Sequence, residues 1–361
     1  MKWAVQKLEE IVSIKTGKLD SNAAVPNGQY PFFTCDPQTL AINTYAYDTE
    51  AVLLAGNNAS GNYTAKYYHG KFNAYQRTYI IESIDKGKLD IHYFLYALNE
   101  QLALLKSISS GSTTKFLTMS MLKPLSVPCP TISVQHRIAS ILSAYDDLIE
   151  NNRRQIKLLE EAAQRLYREW FVELRFPGHE SVKVVDGVPE GWKKVCLKDI
   201  CETKTGKKDA NFGCDDGAYP FFTCAQAPIK APSYSFDCSA VILAGNGDFN
   251  VKLYRGKFEA YQRTYVLSPA NTEYLFLLYN AVSRNMNVLT KGASGSTIKF
   301  LTKGMIDSIE LLIPSSQLLT TYNQNSEALQ KSIEALHRKV ALAVEARDRL
   351  LPKLMNSEME I

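Results

Sequence analysis

The feature that most constrains this 361-residue chain is that it contains nearly the same sequence twice. Thr16-Gly17-Lys18 returns as Thr205-Gly206-Lys207, and Tyr30-Pro31-Phe32-Phe33-Thr34-Cys35 as Tyr219-Pro220-Phe221-Phe222-Thr223-Cys224. At the same spacing Leu54-Ala55-Gly56-Asn57 returns as Leu243-Ala244-Gly245-Asn246. A loop three residues shorter follows in the second copy. The block Gly70 to Tyr79 then matches Gly256 to Tyr265 with one difference, Asn73 against Glu259. Ser110 to Thr118 matches Ser294 to Thr302 with Thr114 against Ile298 as the only change. A long internal repeat decides the architecture before any element is assigned: the chain folds as two similar domains.

Each repeat begins with a mixed segment. Val52-Leu53-Leu54 and Val241-Ile242-Leu243 read as buried strands entering an Ala-Gly-Asn turn, and Phe72 to Ile81 as another strand. Asp90 is placed to cap a helix from Ile91 to about Lys106, with Asn271 or Thr272 in that role in the second copy. A polar Ser-Gly-Ser-Thr loop follows, then a short strand ending at Pro128 or Pro314.

Each repeat closes with a helical seam whose steps alternate four and three. The first seam runs Ile138, Leu142, Tyr145, Ile149, Asn152, Ile156, Leu159, Ala163, Leu166, Trp170. The second runs Tyr322, Ser326, Leu329, Ile333, Leu336, Val340, Ala343, Arg347, Leu350, Leu354. The expected fold is α/β (α+β): two similar mixed α/β domains separated by two long antiparallel coiled-coil helices about a pseudo-twofold axis. The alternative is that both helices join one compact bundle. Asn152 either fixes the register of the seam or sits at its edge. The expected divisions are 1–132, first domain; 133–175, first spacer helix; 176–188, linker; 189–315, second domain; and 316–356, second spacer helix. A seam of this length makes a spacer of about 50 Å at ~1.5 Å per residue.

The motifs present exclude more chemistry than they admit. No Gly-x-Gly-x-x-Gly, P-loop or Asn-Pro-Pro-Tyr motif occurs, so no nucleotide or methyl-donor site is expected. Glu202-Thr203-Lys204 is a bare acidic-x-Lys with Ser13 in the first copy, too little for a nuclease metal site. The five histidines and seven scattered cysteines lack metal-ligand spacing, so no metal, disulfide framework or catalytic residue is expected. No apolar run of about 20 residues is present, and a cytoplasmic protein without a membrane partner is expected.

Net charge is +4, which permits a nucleic-acid partner. The recurring polar residues suit double-stranded DNA: Lys18 and Asn22; Lys66, Tyr68, His69 and Lys71 in the loop before the Gly-Lys-Phe strand; Gln76 and Arg77; Thr113 and Lys115. Their second-copy counterparts are Lys207, Asn211, Lys252, Tyr254, Arg255, Lys257, Gln262, Arg263, Thr297 and Lys299. Lysine and arginine neutralise phosphates, while arginine and glutamine also pair with guanine and adenine in the major groove. Gln76-Arg77 is equally readable as a polar brace inside a strand, and the lysines as solvated surface.

The segment Val188-Pro189-Glu190-Gly191-Trp192 to Ile200 resembles the opening of the target-recognition domain of type I restriction–modification specificity subunits. Trp3 and Leu8-Glu9-Glu10-Ile11 are its shorter counterpart. The stretch Gln135 to Phe171, with Arg175-Phe176-Pro177-Gly178, is similar to that family's central helix and its exit, the most specific part of the likeness. The resemblance implies two recognition domains, each reading half of a split target. It also implies two methyltransferase subunits carrying S-adenosylmethionine, and a restriction subunit. The second helix ends at Pro352-Lys353-Leu354-Met355, without the Glu-Trp-Phe exit. Because the two copies agree where DNA contact is expected, a near-palindromic target is expected. The rival readings are a DNA methyltransferase or nuclease acting alone, and an architectural or assembly protein without sequence readout.

Overall fold

Strand Tyr47–Ala55 alternates between two apolar faces, and that alternation organises the first half of the chain. Val52 and Leu54 pack with Tyr93, Phe94 and Ala97, whereas Ala51 and Leu53 pack with Phe33, Phe72 and Ile80. Successive side chains of a strand point to opposite faces, so a run buried on both sides belongs in the middle of a sheet. The computed structural model describes residues 3–109, 115–293 and 299–359, and these divide into two units. One comprises Met1–Asn152 with Arg338–Ile361, the other Arg153–His337.

In the first unit six strands form one mixed sheet: β1 (Val12–Thr16), β2 (Tyr30–Phe33), β3 (Leu40–Ile42), β4 (Tyr47–Ala55), β5 (Ala65–Ala74) and β6 (Thr78–Ser83). Their spatial order is β1-β6-β4-β5-β2-β3, antiparallel throughout except for β2 beside β5. Helix α1 (Ile91–Asn99) covers one face, its first turn capped by the Asp90 carboxylate, which accepts from the Tyr93 amide at 2.7 Å. The expected single helix to Lys106 is two: the polar run Asn99-Glu100-Gln101 interrupts the apolar stripe, and α2 restarts at Leu102–Ile108.

The second unit repeats the plan with β7 (Cys201–Thr205), β8 (Tyr219–Phe222), β9 (Ile229–Ala231), β10 (Phe236–Ala244), β11 (Val251–Ala260) and β12 (Thr264–Pro269). The order β7-β12-β10-β11-β8-β9 is the same, again with one parallel pair, β8 beside β11. Here Asn271 caps a short turn through the Glu273 amide, and α4 (Leu275–Gly292) is unbroken.

Two expectations about strands are corrected. Phe72 to Ile81 is not one strand: β5 ends at Ala74 and β6 begins at Thr78, with Tyr75-Gln76-Arg77 as the turn between them. The Thr78 amide closes it on the Tyr75 carbonyl at 2.8 Å. Lys66, Tyr68 and Lys71, expected in a loop, lie in strand β5, and Lys252, Tyr254, Arg255 and Lys257 in β11.

The two long helices, α3 (Ile132–Phe171) and α5 (Ser316–Met355), have 40 residues each, and each contributes to both units. In the first unit the start of α3 meets the end of α5. Ile138 and Leu142 share a core with Leu354 and Met355, and Arg347 Nη1 lies 2.6 Å from Asp146 Oδ1. In the second unit the end of α3 meets the start of α5, with Tyr322 fully buried against Trp170 and Phe171. The helices therefore pair antiparallel within each unit.

Of the seam positions, Ile138, Leu142, Ile149, Ile156, Ile333, Leu336 and Leu354 are buried, and Tyr145, Leu159, Leu166, Leu329, Val340 and Leu350 half-buried. Asn152 is 4% exposed, which places it inside the seam rather than at its edge. Among the described residues no helix is long and apolar enough to cross a membrane.

Candidate nucleic-acid interface

Two glycines per copy seat the Gln-Arg turn. A side chain on Gly17 would put its Cβ 2.2 Å from the Ala74 carbonyl oxygen, and one on Gly56 would meet the Arg77 carbonyl oxygen at 2.3 Å. Only glycine allows backbones to approach so closely. The gap is used: the Gly56 amide donates to Arg77 O at 2.8 Å, the Gly17 amide to Thr78 O at 3.1 Å and the Gln76 amide to Leu19 O at 2.8 Å. In the second copy Gly245 donates to Arg263 O at 2.9 Å, Gly206 to Thr264 O at 3.1 Å and Gln262 to Lys208 O at 2.9 Å. The Thr-Gly-Lys and Ala-Gly-Asn motifs are thus the seat of the turn.

The strand that leaves the Ser-Gly-Ser-Thr loop is fastened to the same seat. The Leu117 amide donates to Gly56 O at 2.8 Å, and the Tyr79 hydroxyl donates to Leu117 O at 2.8 Å. Leu301, Gly245 and Tyr265 repeat the clamp at 2.8 and 2.9 Å. The loop itself, with Thr113 and Thr297, lies outside the described residues. Its exit pairs Lys115 with Asn58 in the first copy and Phe300 with Asn246 in the second.

At this end of the first sheet Lys18, Gln76 and Arg77 are exposed and Lys115 half-buried, and their side chains have no hydrogen-bond or ionic partner among the described residues. Lys207, Arg263 and Lys299 are likewise exposed and unpaired there, while Gln262 donates to Asp209 at 3.2 Å. The reading of Gln76-Arg77 as an interior brace is therefore excluded by exposure. Asn22 and Asn211 sit exposed on short turns next to the Thr-Gly-Lys segment. A cation-bearing end of this kind, with unpaired guanidinium and amide groups, has the composition that binds phosphates and reads base edges.

Other candidates serve the fold. The Lys66 ammonium donates to the Asp36 carbonyl at 3.1 Å and to Thr39, and Lys252 donates to the Ala225 carbonyl at 2.9 Å. Burial pushes both ammonium groups below the usual lysine range. These lysines fasten the β2–β3 and β8–β9 loops. Tyr68 packs on the rings of Phe33 and Phe72, and Tyr254 on those of Phe222 and Phe258. Lys71 lies 4.7 Å above the Tyr45 ring and Lys257 4.8 Å above that of Tyr234, with both ammonium groups at the surface. Arg255 is held by both oxygens of Glu327, at 3.1 and 2.8 Å, over the Phe276 ring.

The seat glycines and the clamping tyrosines were missed as site residues, although their recurrence in both copies was visible. A charged groove of about 490 Å³ in the first unit, lined by Glu50, Glu82, Lys86, Asp90 and His136 among others, has its two glutamates paired with Lys86 and Lys15. Among the described residues no group of three metal-ligating side chains is found.

Comparison with known proteins points the same way. The chain is 39% identical over 178 residues to the type I restriction enzyme EcoDI specificity subunit of Escherichia coli, covering 48% of this chain and 39% of that one. It is 25% identical over 296 residues to the MjaIX specificity subunit of Methanocaldococcus jannaschii, covering 74% and 68%. The fold matches the crystal structure of a type I restriction–modification S subunit from M. genitalium, with a TM-score of 0.66 at 19% identity over 98% of this chain and 96% of that one. The profile described as "Type I restriction modification DNA specificity domain" matches residues 1–161 and 189–345, most of the chain, and the chain belongs to that family.

Proposed function

We propose that this chain is the DNA-reading, non-catalytic subunit of a type I restriction–modification complex. Each unit reads one half of a split target. The observation that carries this reading is the exposed Gln-Arg turn, seated by the same backbone bonds in both units beside unpaired lysines. Family membership supports the same assignment.

In this mechanism Lys18, Lys115, Lys207 and Lys299 neutralise phosphates and set the position on the duplex. Gln76-Arg77 and Gln262-Arg263 meet base edges in the major groove. Since the two turns carry the same residues, the halves of the target are closely similar and inverted, mirroring the repeat of the protein. The half-sites then lie about one helical turn apart, roughly 34–36 Å. Two methyltransferase subunits bring S-adenosylmethionine, which this chain does not bind, and take the extruded adenine into their own pockets. A restriction subunit completes the complex.

The test is selection of random duplexes by the chain assembled with its methyltransferase subunit, read by sequencing. A split motif with two similar inverted halves is expected. Two unrelated halves would discard the symmetry and keep the reader. No enrichment at all would overturn the proposal in favour of an assembly protein without sequence readout.

A further inference from the structure

Besides Asp20 and Asp209, which recur in both copies beside the Gln-Arg turn, each copy carries a further exposed carboxylate near it that the other copy lacks, and the two copies take it from different loops. In the first unit it is Asp36, in the loop between β2 and β3, where the second copy has Ala225. In the second unit it is Asp248, in the loop between β10 and β11. The corresponding loop of the first copy, Asn57 to Thr64, has no acidic residue. It turns instead onto itself and onto α2: Asn58 Oδ1 accepts from the amides of Ser60 and Asn62, and Asn62 Oδ1 accepts from Lys106 at 2.7 Å.

The loops that carry both carboxylates are fastened to the turn through a cysteine thiol. Cys35, the neighbour of Asp36, donates its thiol to Arg77 O at 3.5 Å. In the second copy the Cys224 thiol reaches Asn246 Oδ1 at 2.9 Å and Arg263 O at 3.7 Å, joining the two loops that hold Gln226 and Asp248. The Gln226 amide donates to Asp248 Oδ2 at 2.7 Å. Asp36 Oδ1 accepts from the Gln38 amide at 2.7 Å. No hydrogen bond engages Asp36 Oδ2 or Asp248 Oδ1 among the described residues. The ammonium groups facing these carboxylates are those of Lys66 and Lys252, which fasten the loops, and an acceptor oxygen left over is out of place against a phosphate, which it repels. Against a base edge it is well suited, because cytosine N4 and adenine N6 present amine donors in the major groove.

We infer that Asp36 and Asp248 are specificity-determining residues, each accepting from an exocyclic amine on a base of its own half-site. Because they project from different loops, the two half-sites differ at the base each aspartate reads, so the target is an imperfect inverted repeat. This inference rests on the DNA-reading assignment above.

The experiment repeats duplex selection with the chain and its methyltransferase subunit for wild type, Asp36→Asn, Asp36→Ala, Asp248→Asn and Asp248→Ala. The asparagine variants retain an acceptor for the loop bonds, so they decide the test where an alanine loosens the loop. Asp36 variants should lose discrimination at one position of one half-site by about tenfold or more, and Asp248 variants at one position of the other half. The wild-type motif in all four variants, or tighter binding to every sequence alike, would overturn the inference and leave the DNA-reading assignment standing. A wild-type protein that selects no motif would overturn both.

Discussion

The two units join their sheets to the long helices at corresponding places with different chemistry. In the first unit the end of α5 supplies Leu354 and Met355, which pack on Ile138, and the Trp3 indole donates to the Leu354 carbonyl at 3.2 Å. In the second unit the end of α3 supplies Trp170 and Phe171, and Tyr322 stands where the first repeat has Ile138. Phe171 meets Tyr322 edge to face at 4.8 Å, and the Asn280 amide donates to the Tyr322 hydroxyl at 2.9 Å. An aliphatic plug tolerates imprecise packing. An aromatic cluster with a buried hydroxyl requires a fixed geometry. The second junction should therefore be the less forgiving. Trp170→Ala is expected to cost about 3–5 kcal/mol of stability, with Leu354→Ala nearer the low end of about 2–5 kcal/mol. Hydrogen exchange should place the loss for Trp170→Ala within residues 153–337. Equal loss of protection in both units would show that the junctions are not independent.

The seats of the turns are, by contrast, chemically the same in both copies. A Cβ at Gly245 would lie 2.4 Å from Arg263 O, against 2.3 Å for Gly56 and Arg77 O. Gly56→Ala and Gly245→Ala should thus each cost about 1–3 kcal/mol by overpacking, and by similar amounts. Each should also weaken duplex binding, since the arginine turn shifts when its seat does. Thermal melts that leave either variant at wild-type stability would refute the close-approach argument.

This contrast also explains what was readable in advance. The repeat, the two sheets and the helix seams were legible because identical blocks and alternating steps of four and three are long-range patterns. The turn at Gln76-Arg77 was not, because it has no glycine or proline and lies between aromatic residues of strand character. The exposure of Arg77 and Arg263 depends on glycines about 20 and 60 residues away, at positions 56 and 17 in the first copy. Lys66 looked like a phosphate contact because its bond to the Asp36 carbonyl is tertiary. Asn73 and Glu259, the mismatch in the ten-residue block, are both buried and do the same work. Each accepts from the next amide, at 3.0 and 2.9 Å, and the extra oxygen of Glu259 accepts from Ser235.

The smallest expected effect separates the copies at one surface position. Arg255 is paired with Glu327 and lies over Phe276, whereas the first copy has an exposed His69 in its place. The bonds from Arg255 hold the Glu327 carboxyl below the usual carboxylate value of 4.5. A carboxylate whose pKa is lowered on folding stabilises the protein above its unfolded pKa, and that contribution is lost as pH falls through the folded value. Arginine stays charged throughout. Arg255→Ala should accordingly cost about 0.5–1 kcal/mol near neutral pH, the range of a half-exposed pair, and His69→Ala close to nothing. Chemical denaturation at neutral pH and again well below 4.5 tests this. The gap between wild type and Arg255→Ala should narrow in acid, leaving only the part due to stacking on Phe276. A gap that persists unchanged would assign the whole effect to that stacking. If Arg255→Ala also weakened duplex binding without altering stability, Arg255 would be restored as a DNA contact in the second copy alone.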